Sequence, residues 1–355
     1  MMKLRLLSIA LGAMALSGAL HAQGSPETYH LEKAVTIPGS ATGWDYHALD
    51  QARGRIFIAH RGDGLQVYDI KAAAFVTTLT DSKGTNTAAL APEFDLGIAG
   101  TTDGDVIVFT PSTLKTVKRY KSTTDGFDGA AYEPLSKRFV LVGEADEKAR
   151  RTPVLFFDAR TGEPAGTLML DSAKVDAPRA DGKGHIFLPL RDRNAVAILD
   201  AAPTPKVRAI LPLHGCVKPA ALELDRATQR IFVGCRGDTK SAPALAVLDA
   251  GTRKQIATLP IGHGVDEVLF DARAQAIISA NGDEGSMTVI RRLPQDRYRV
   301  TATIGTRPRA RTGVIDADTG KIYLVTAEYI DTYPEGKEVE TAYRPDTFTV
   351  LTYAP

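Results

Sequence analysis

A seven-bladed β-propeller, all-β with four antiparallel strands per blade, is the fold class this sequence predicts. Three observations carry that expectation. One strand-and-turn unit recurs seven times, and nearly every unit holds four short apolar runs. The last unit lacks its fourth run, while an orphan run stands near the N-terminus. Four-stranded units repeated around a central channel are how a propeller is built.

The units align on the start of their first run. The aligning residues are Asp45 in GWDYHALD, Asn86 in GTNTAALA, Asp128 in GFDGAAYE and Asp176 in KVDAPRAD. Ala220 in KPAALELD, Asp266 in GVDEVLFD and Arg311 in ARTGVID complete the set. Successive units lie 41, 42, 48, 44, 46 and 45 residues apart. Second runs read RIFIAH, LGIAGT, RFVLVG, HIFLPL, RIFVGC, AIISAN and KIYLVT; third runs include GLQVYD, DVIVFT and ALAVLD; fourth runs include FVTTLT and QIATLP. All are short, rich in Val, Ile, Phe and Leu, and bounded by Gly, Asp, Asn or Pro, with no helical period. The orphan EKAVTIPG supplies the strand that TFTVLTYAP leaves unmade, so the N-terminal strand completes the last blade and closes the ring. Dividing a blade in this way leaves no open sheet edge at the seam.

Residues 1–22 read as a secretory signal peptide. Lys3 and Arg5 precede the apolar stretch from Leu6 to Leu20, and LHA places Ala22 before a cut. That stretch is shorter than the ~20 residues a membrane-spanning helix needs, and it holds no Cys for a lipid anchor. The expected organisation is therefore a single propeller domain over 23–355, exported to the periplasm or secreted, monomeric, with no membrane span after cleavage. The formal net charge is +1. Removing the two leader cations turns it to about −1, which gives no bulk field toward nucleic acid or anionic lipid.

Cys216 and Cys235 are the two cysteines, and they flank a predicted hairpin. With its turn at Arg226 to Gln229 they fall nearly opposite each other, so an oxidising compartment predicts a disulfide. Neither CxxCH nor GxGxxG is present, and no cofactor is predicted.

GWDYHALD at the first entry, RIFVGC in blade five, LPIGHGVDEVLFD entering blade six and ARTGVIDADTGKIYLVTAE in blade seven resemble the YVTN-repeat, YncE-like bacterial β-propellers. The resemblance covers nearly all of the chain after the leader. It implies an exported propeller, a fold that serves related groups as a binding platform or an enzyme scaffold.

In a propeller, links from an outer strand to the next inner strand share one face with the links between second and third strands. Their residues converge on one mouth of the channel. The entries bring Trp44, Asp45, Asn86, Asp128, Asp176, His263, Asp266 and Arg311. The second-to-third links bring His60, Arg61, Glu144, Arg191, Arg236, Asn281 and Glu328. The expected ligand-binding set is Trp44, Asp45, His60, Arg61, Asp128, Asp176, Arg191, Arg236, Asp266, Asn281 and Arg311. Arg61, Arg191 and Arg236 recur after second strands and Arg311 replaces an entry acid. Such a group suits carboxylate or phosphate recognition, with the Asp neighbours holding it in place when empty. Asp69, Asp158, Asp200 and Asp249, which close third strands, read as turn caps. About 20 residues at 327–346 occupy a link where most blades use a handful; this reads as a lid carrying Tyr329, Tyr333 and Tyr343, or as disorder.

The function these features favour is a non-catalytic binding module for a small ligand, anionic if the arginines form the site, or for a protein partner at the mouth. A hydrolase- or lyase-type enzyme is the alternative. It would draw on His47, His60, His214 and His263, with Asp45 two residues from His47 and so on the same strand face. No GxSxG or HExxH supports it. Nucleic-acid binding is the third reading, on seven arginines between Arg291 and Arg311 with Trp44 and Tyr46 as stacking rings.

Overall fold

The computed structural model describes residues 28–146, 148–336 and 339–355; the signal peptide expected at 1–22 lies outside them. Seven four-stranded sheets, every neighbouring pair antiparallel, form the blades, and one further two-stranded sheet stands apart. Blade one is built from Trp44–Asp50, Arg55–His60, Gly64–Asp69 and Ala74–Thr78 in chain order. Blade seven departs from that order. Its strands are Gly313–Ile315, Ile322–Thr326 and Thr349–Ala354, and its outer strand is His30–Thr36. The N-terminal strand closes the ring, pairing Thr36 with Thr349 and His30 with Ala354.

The burial pattern follows from stacking blades face to face. Second and third strands, such as Arg55–His60 and Asp105–Thr110, are covered on both faces and read as continuous apolar runs. Fourth strands, such as Lys115–Lys121, meet solvent and carry Lys and Arg. Apolar clusters lie between neighbouring blades. One joins Trp44, Ile56 and Ile58 of blade one to Val325, Phe348 and Val350 at blade seven. Inner strands approach each other so closely that a Cβ on Gly129 would meet the Cα of Ala177 at 2.5 Å.

Turn chemistry fixes the far end of the inner strands. Asp50 accepts from the amide of Arg53, Asp225 from those of Ala227 and Thr228, and Asp271 from those of Arg273 and Ala274. Asp69, Asp158 and Asp249 accept turn amides in the same manner. Asp200 differs: it lies 3.4 Å from Arg208 and 3.7 Å from Lys206 and His185.

The 327–346 segment contains a paired hairpin, Tyr329–Thr332 against Glu340–Tyr343. It sits at the side of the mouth, where Tyr343 packs 4.9 Å from Trp44 and Arg309 lies over the Tyr329 ring at 4.8 Å. Tyr333 is the exposed one of the three tyrosines. Among the described residues no helix is long and apolar enough to cross a membrane.

Cys216 and Cys235 form a disulfide across 19 positions, with the hairpin turn at 226–229 between them. Pro219 is the residue opposite Cys235, so the bond ties the entry of blade five to the end of its second strand. Replacing both cysteines by Ser should lower unfolding free energy by about 2–4 kcal/mol, read from denaturant curves without reductant. A reducing agent should then shift the wild type and leave the variant unchanged.

Candidate ligand-binding mouth of the channel

Two backbone devices build the mouth. The first is a hydrogen bond repeated in six blades. The residue after each second strand donates its amide to the carbonyl two residues before the aligned entry position. The pairs are Arg61 to Gly43, Thr102 to Gly84, Glu144 to Gly126, Arg191 to Lys174, Arg236 to Lys218 and Gly282 to Gly264, at 2.9–3.1 Å. That bond sets every such side chain at the same height beside an inner strand. It is why Arg61, Arg191 and Arg236 recur in register.

The second device is a β-bulge at the entry residue itself. Pairing skips from Thr85 to Thr87, Phe127 to Gly129, Pro219 to Ala221 and Val265 to Glu267, leaving Asn86, Asp128, Ala220 and Asp266 as the extra residues. Blade one skips between Trp44 and His47, with Asp45 and Tyr46 opposite Ala59 alone. A bulge bends the strand and re-aims the unpaired side chain. The entry acids thereby face the mouth.

There they meet the arginines. Arg61 donates to Asp45 at 2.7 Å and to Asn86 at 2.6 Å, and Arg191 to Asp176 at 2.5 Å. Arg236 pairs with Asp266 and donates to the Val265 carbonyl. Arg311 reaches Asp266 at 3.1 Å from Nε, without hydrogen-bond geometry. Lys174, which precedes the blade-four entry, donates to Asp128 at 2.5 Å. Five cations thus face four carboxylates.

The acids do not share one electrostatic state. Burial pushes Asp176 up to about 8, with Asp128 and Asp266 adding to the rise and Arg191 opposing it. Burial and the charge of Asp266 push Asp45 up to about 7. Burial acts on Asp266 as well, but Arg236, Arg311 and Arg191 together outweigh it and hold that carboxyl below its ordinary range. Near neutral pH the cluster therefore leans further positive than its residue count. Three buried polar atoms here, Asp176 Oδ2, Arg191 Nε and Arg311 Nε, have no hydrogen-bond partner.

The structure divides the expected site set. Asp45, Arg61, Asp128, Asp176, Arg191, Arg236, Asp266 and Arg311 come together. Trp44 does not join them: it is 2 % exposed, wedged between Tyr343 and Phe348. His60 is fully buried, bonded to Gln66 and the Thr42 carbonyl and stacked on Phe348 at 4.2 Å. Asn281 is also buried, donating to Ser286 and Thr288. Asn281 is held inside by its own blade, whereas His60 is covered by Phe348 from blade seven.

The proposed Asp45–His47 pairing on one strand face fails because the bulge adds a residue between them and breaks the alternation. His47 instead lies 3.4 Å from the Thr312 hydroxyl, and burial holds it neutral down to about 3. His214 and His263 are exposed, the latter 4.0 Å from Glu284. No group of three His, Cys, Asp or Glu side chains among the described residues is arranged to hold a metal ion. The arginines from Arg291 to Arg311 point several ways. Arg292 pairs with Asp225 and Asp296, Arg309 with Asp331 on the hairpin, and Arg311 with Asp266.

Sequence reasoning missed the opposite end of the channel. There Arg179 pairs with Glu267 and, at 3.4 Å, with Glu223, beside a cavity that Tyr46 and His47 also line. The available signal was charge at inner-strand positions where other units carry uncharged residues.

Ring, bulged entries and mouth define a seven-bladed β-propeller. The comparisons agree on the fold. A chain of "Crystal Structure of Mitotic Checkpoint Complex" matches with TM-score 0.72 and 11% identity over 100% of this chain and 99% of that one. "Crystal structure of RRP9 WD40 repeats" matches with TM-score 0.70 and 9% identity over 92% and 100%. "Kuenenia stuttgartiensis Hydrazine Synthase" matches with TM-score 0.69 and 12% identity over 87% and 98%. No family model and no curated protein matches the chain.

The raised carboxyl of Asp176 has a thermodynamic signature. The folded state keeps its proton up to about pH 8, whereas the unfolded chain releases it near 4. Its contribution is complete below about pH 4 and fades as pH rises, by up to about 1.4 kcal/mol per unit. Buried His47 acts in the opposite sense below about pH 6.5, so the difference between variants is the clean observable. Asp176→Asn should gain stability relative to wild type between pH 5 and 8. A constant offset in melting temperature across that range would show that Asp176 ionises normally.

Proposed function

We propose that this chain is an exported, non-catalytic binding module of the YVTN-repeat type that captures a small anionic ligand at the channel mouth. The observation that carries the reading is the cluster of Arg61, Lys174, Arg191, Arg236 and Arg311 against four acids, two of them pushed toward the neutral form. Guanidinium groups offer paired N–H donors that fit a carboxylate or phosphate. The Arg61, Arg236 and Arg311 side chains remain partly exposed at the mouth and can present such donors to a ligand. In the empty state the acids shield the arginines from one another, and an arriving anion replaces part of that shielding.

Calorimetric titration of the purified protein with sodium succinate and with inorganic phosphate tests the mouth. At least one should bind, and Arg61→Ala and Arg236→Ala should each weaken it by about tenfold or more, the loss of a charge-assisted bond. Absence of heat with both anions, or wild-type affinity in both variants, would remove the anionic-ligand reading. Export has a separate readout. Protein recovered from the periplasm of an expressing bacterium should begin at Gln23, and retention of residues 1–22 in the cell would overturn that part.

A further inference from the structure

The far end of the channel opens into a cavity of about 670 Å³, within the size range of small-molecule sites. One wall is apolar and small, formed by Leu49, Ala88, Ala130 and Val314. The other carries Arg179, Glu223 and Glu267, which come from the inner strands of blades four, five and six. We propose that this cavity is a second binding site, specific for a small primary ammonium ion carrying a short apolar body.

Acceptors outnumber donors in the cavity. Two carboxylates offer about four acceptor positions each. Their recorded donors are Arg179 Nε to Glu223 at 3.4 Å, Arg179 to Glu267, and the Leu224 amide to Glu223 at 2.7 Å. Most acceptor positions are left for a ligand, so the ligand must bring N–H or O–H groups. Arg179 is already committed to both acids and to the Pro178 carbonyl.

Charge selects among donors. Inside the cavity two acids face one guanidinium. At the rim, Asp225 is matched by Arg292, and Arg226 is exposed with its Nε on the Ala180 carbonyl. A cation entering between Glu223 and Glu267 draws Glu267 to its ionised form and completes two cations against two carboxylates, whereas an anion would add a negative charge beside Glu223. His47, kept neutral by burial, does not repel a cation. Burial, with the Glu223 charge adding to it against the pull of Arg179, raises Glu267 to about 8, as expected of acids short of positive partners. The apolar wall sets the remaining requirement, since a bare ammonium ion would leave Leu49, Ala88, Ala130 and Val314 against water.

This site is separate from the anionic mouth, and the test keeps the two apart. The folded protein is titrated calorimetrically with n-butylammonium chloride, sodium butyrate and n-butanol. Only butylammonium should bind. Glu223→Gln, at a partly exposed position, should weaken it by about tenfold, the cost of losing a charged acceptor. Ala130→Leu, which narrows the cavity at its apolar wall, should weaken butylammonium binding while leaving the response to succinate and phosphate at the mouth as in wild type. Binding of butyrate or butanol as tightly as butylammonium would overturn the inference. So would no binding of butylammonium by the wild type, or unchanged affinity in Glu223→Gln or Ala130→Leu.

Discussion

The pairing of His30–Thr36 with Thr349–Ala354 is the interaction on which the rest depends. Six register pairs join the two ends of the described chain, and they convert a row of similar sheets into a circle. The entropic cost of so distant a contact is modest, because each doubling of loop length adds only about 0.6 kcal/mol. Against it stand a ladder of backbone bonds and the apolar seam where Trp44, Ile56 and Tyr68 meet Tyr323, Val325 and Phe348. Without the seam, blade seven would end in an open edge. The bulges at Asp45, Asn86, Asp128 and Asp266 would also no longer address one axis.

The mouth makes sense as a compromise that the ring itself does not require. Taking Arg–Asp pairs out of water costs several kcal/mol per ion before their attraction returns it, so buried pairs are weak contributors to stability. Blades two and five make the same bulge with Asn86 and Ala220. The backbone geometry is therefore satisfied without charge. The blades do not require the concentration of Arg61, Arg191, Arg236 and Arg311 around Asp45, Asp176 and Asp266, and it suits the anionic ligand proposed for the mouth.

Most of the fold was legible because strand and turn chemistry are local. Val- and Ile-rich runs between Gly and Asp mark strands without reference to the rest of the chain, and the displaced strand at 30–36 follows from counting runs. The arginine register was legible for the same reason, since it rests on one backbone bond per blade. What failed depended on side-chain direction. Asp45 and His47 were expected on one face by strict alternation, but the bulge between Trp44 and His47 shifts the register by one residue. Trp44 and His60 sit at mouth positions in the alignment, yet the Tyr343 hairpin and Phe348 bury them, and those partners arrive from nearly 300 residues away. Glu223 and Glu267 escaped notice because they occupy different offsets within their units. Only the ring brings them to the same guanidinium.

The bulges also explain how one channel carries two unlike ends. In a regular strand the choice of residue at one position fixes the face of every other. A bulge breaks that link and divides an inner strand into an upper part, aimed at the mouth, and a lower part with its own alternation. Asp266 and Glu267 are neighbours in sequence, yet one answers to Arg236 and Arg311 above and the other to Arg179 below. Tyr46 stands at the same division in blade one. Its phenol lies in the fields of Asp266, Asp176, Asp45 and Asp128, and burial together with those charges holds its proton far more tightly than usual. A buried ring at that level stands between an arginine-rich mouth and a carboxylate-rich cavity, and the two ends still feel each other, since the Asp266 charge adds to the rise of Glu267.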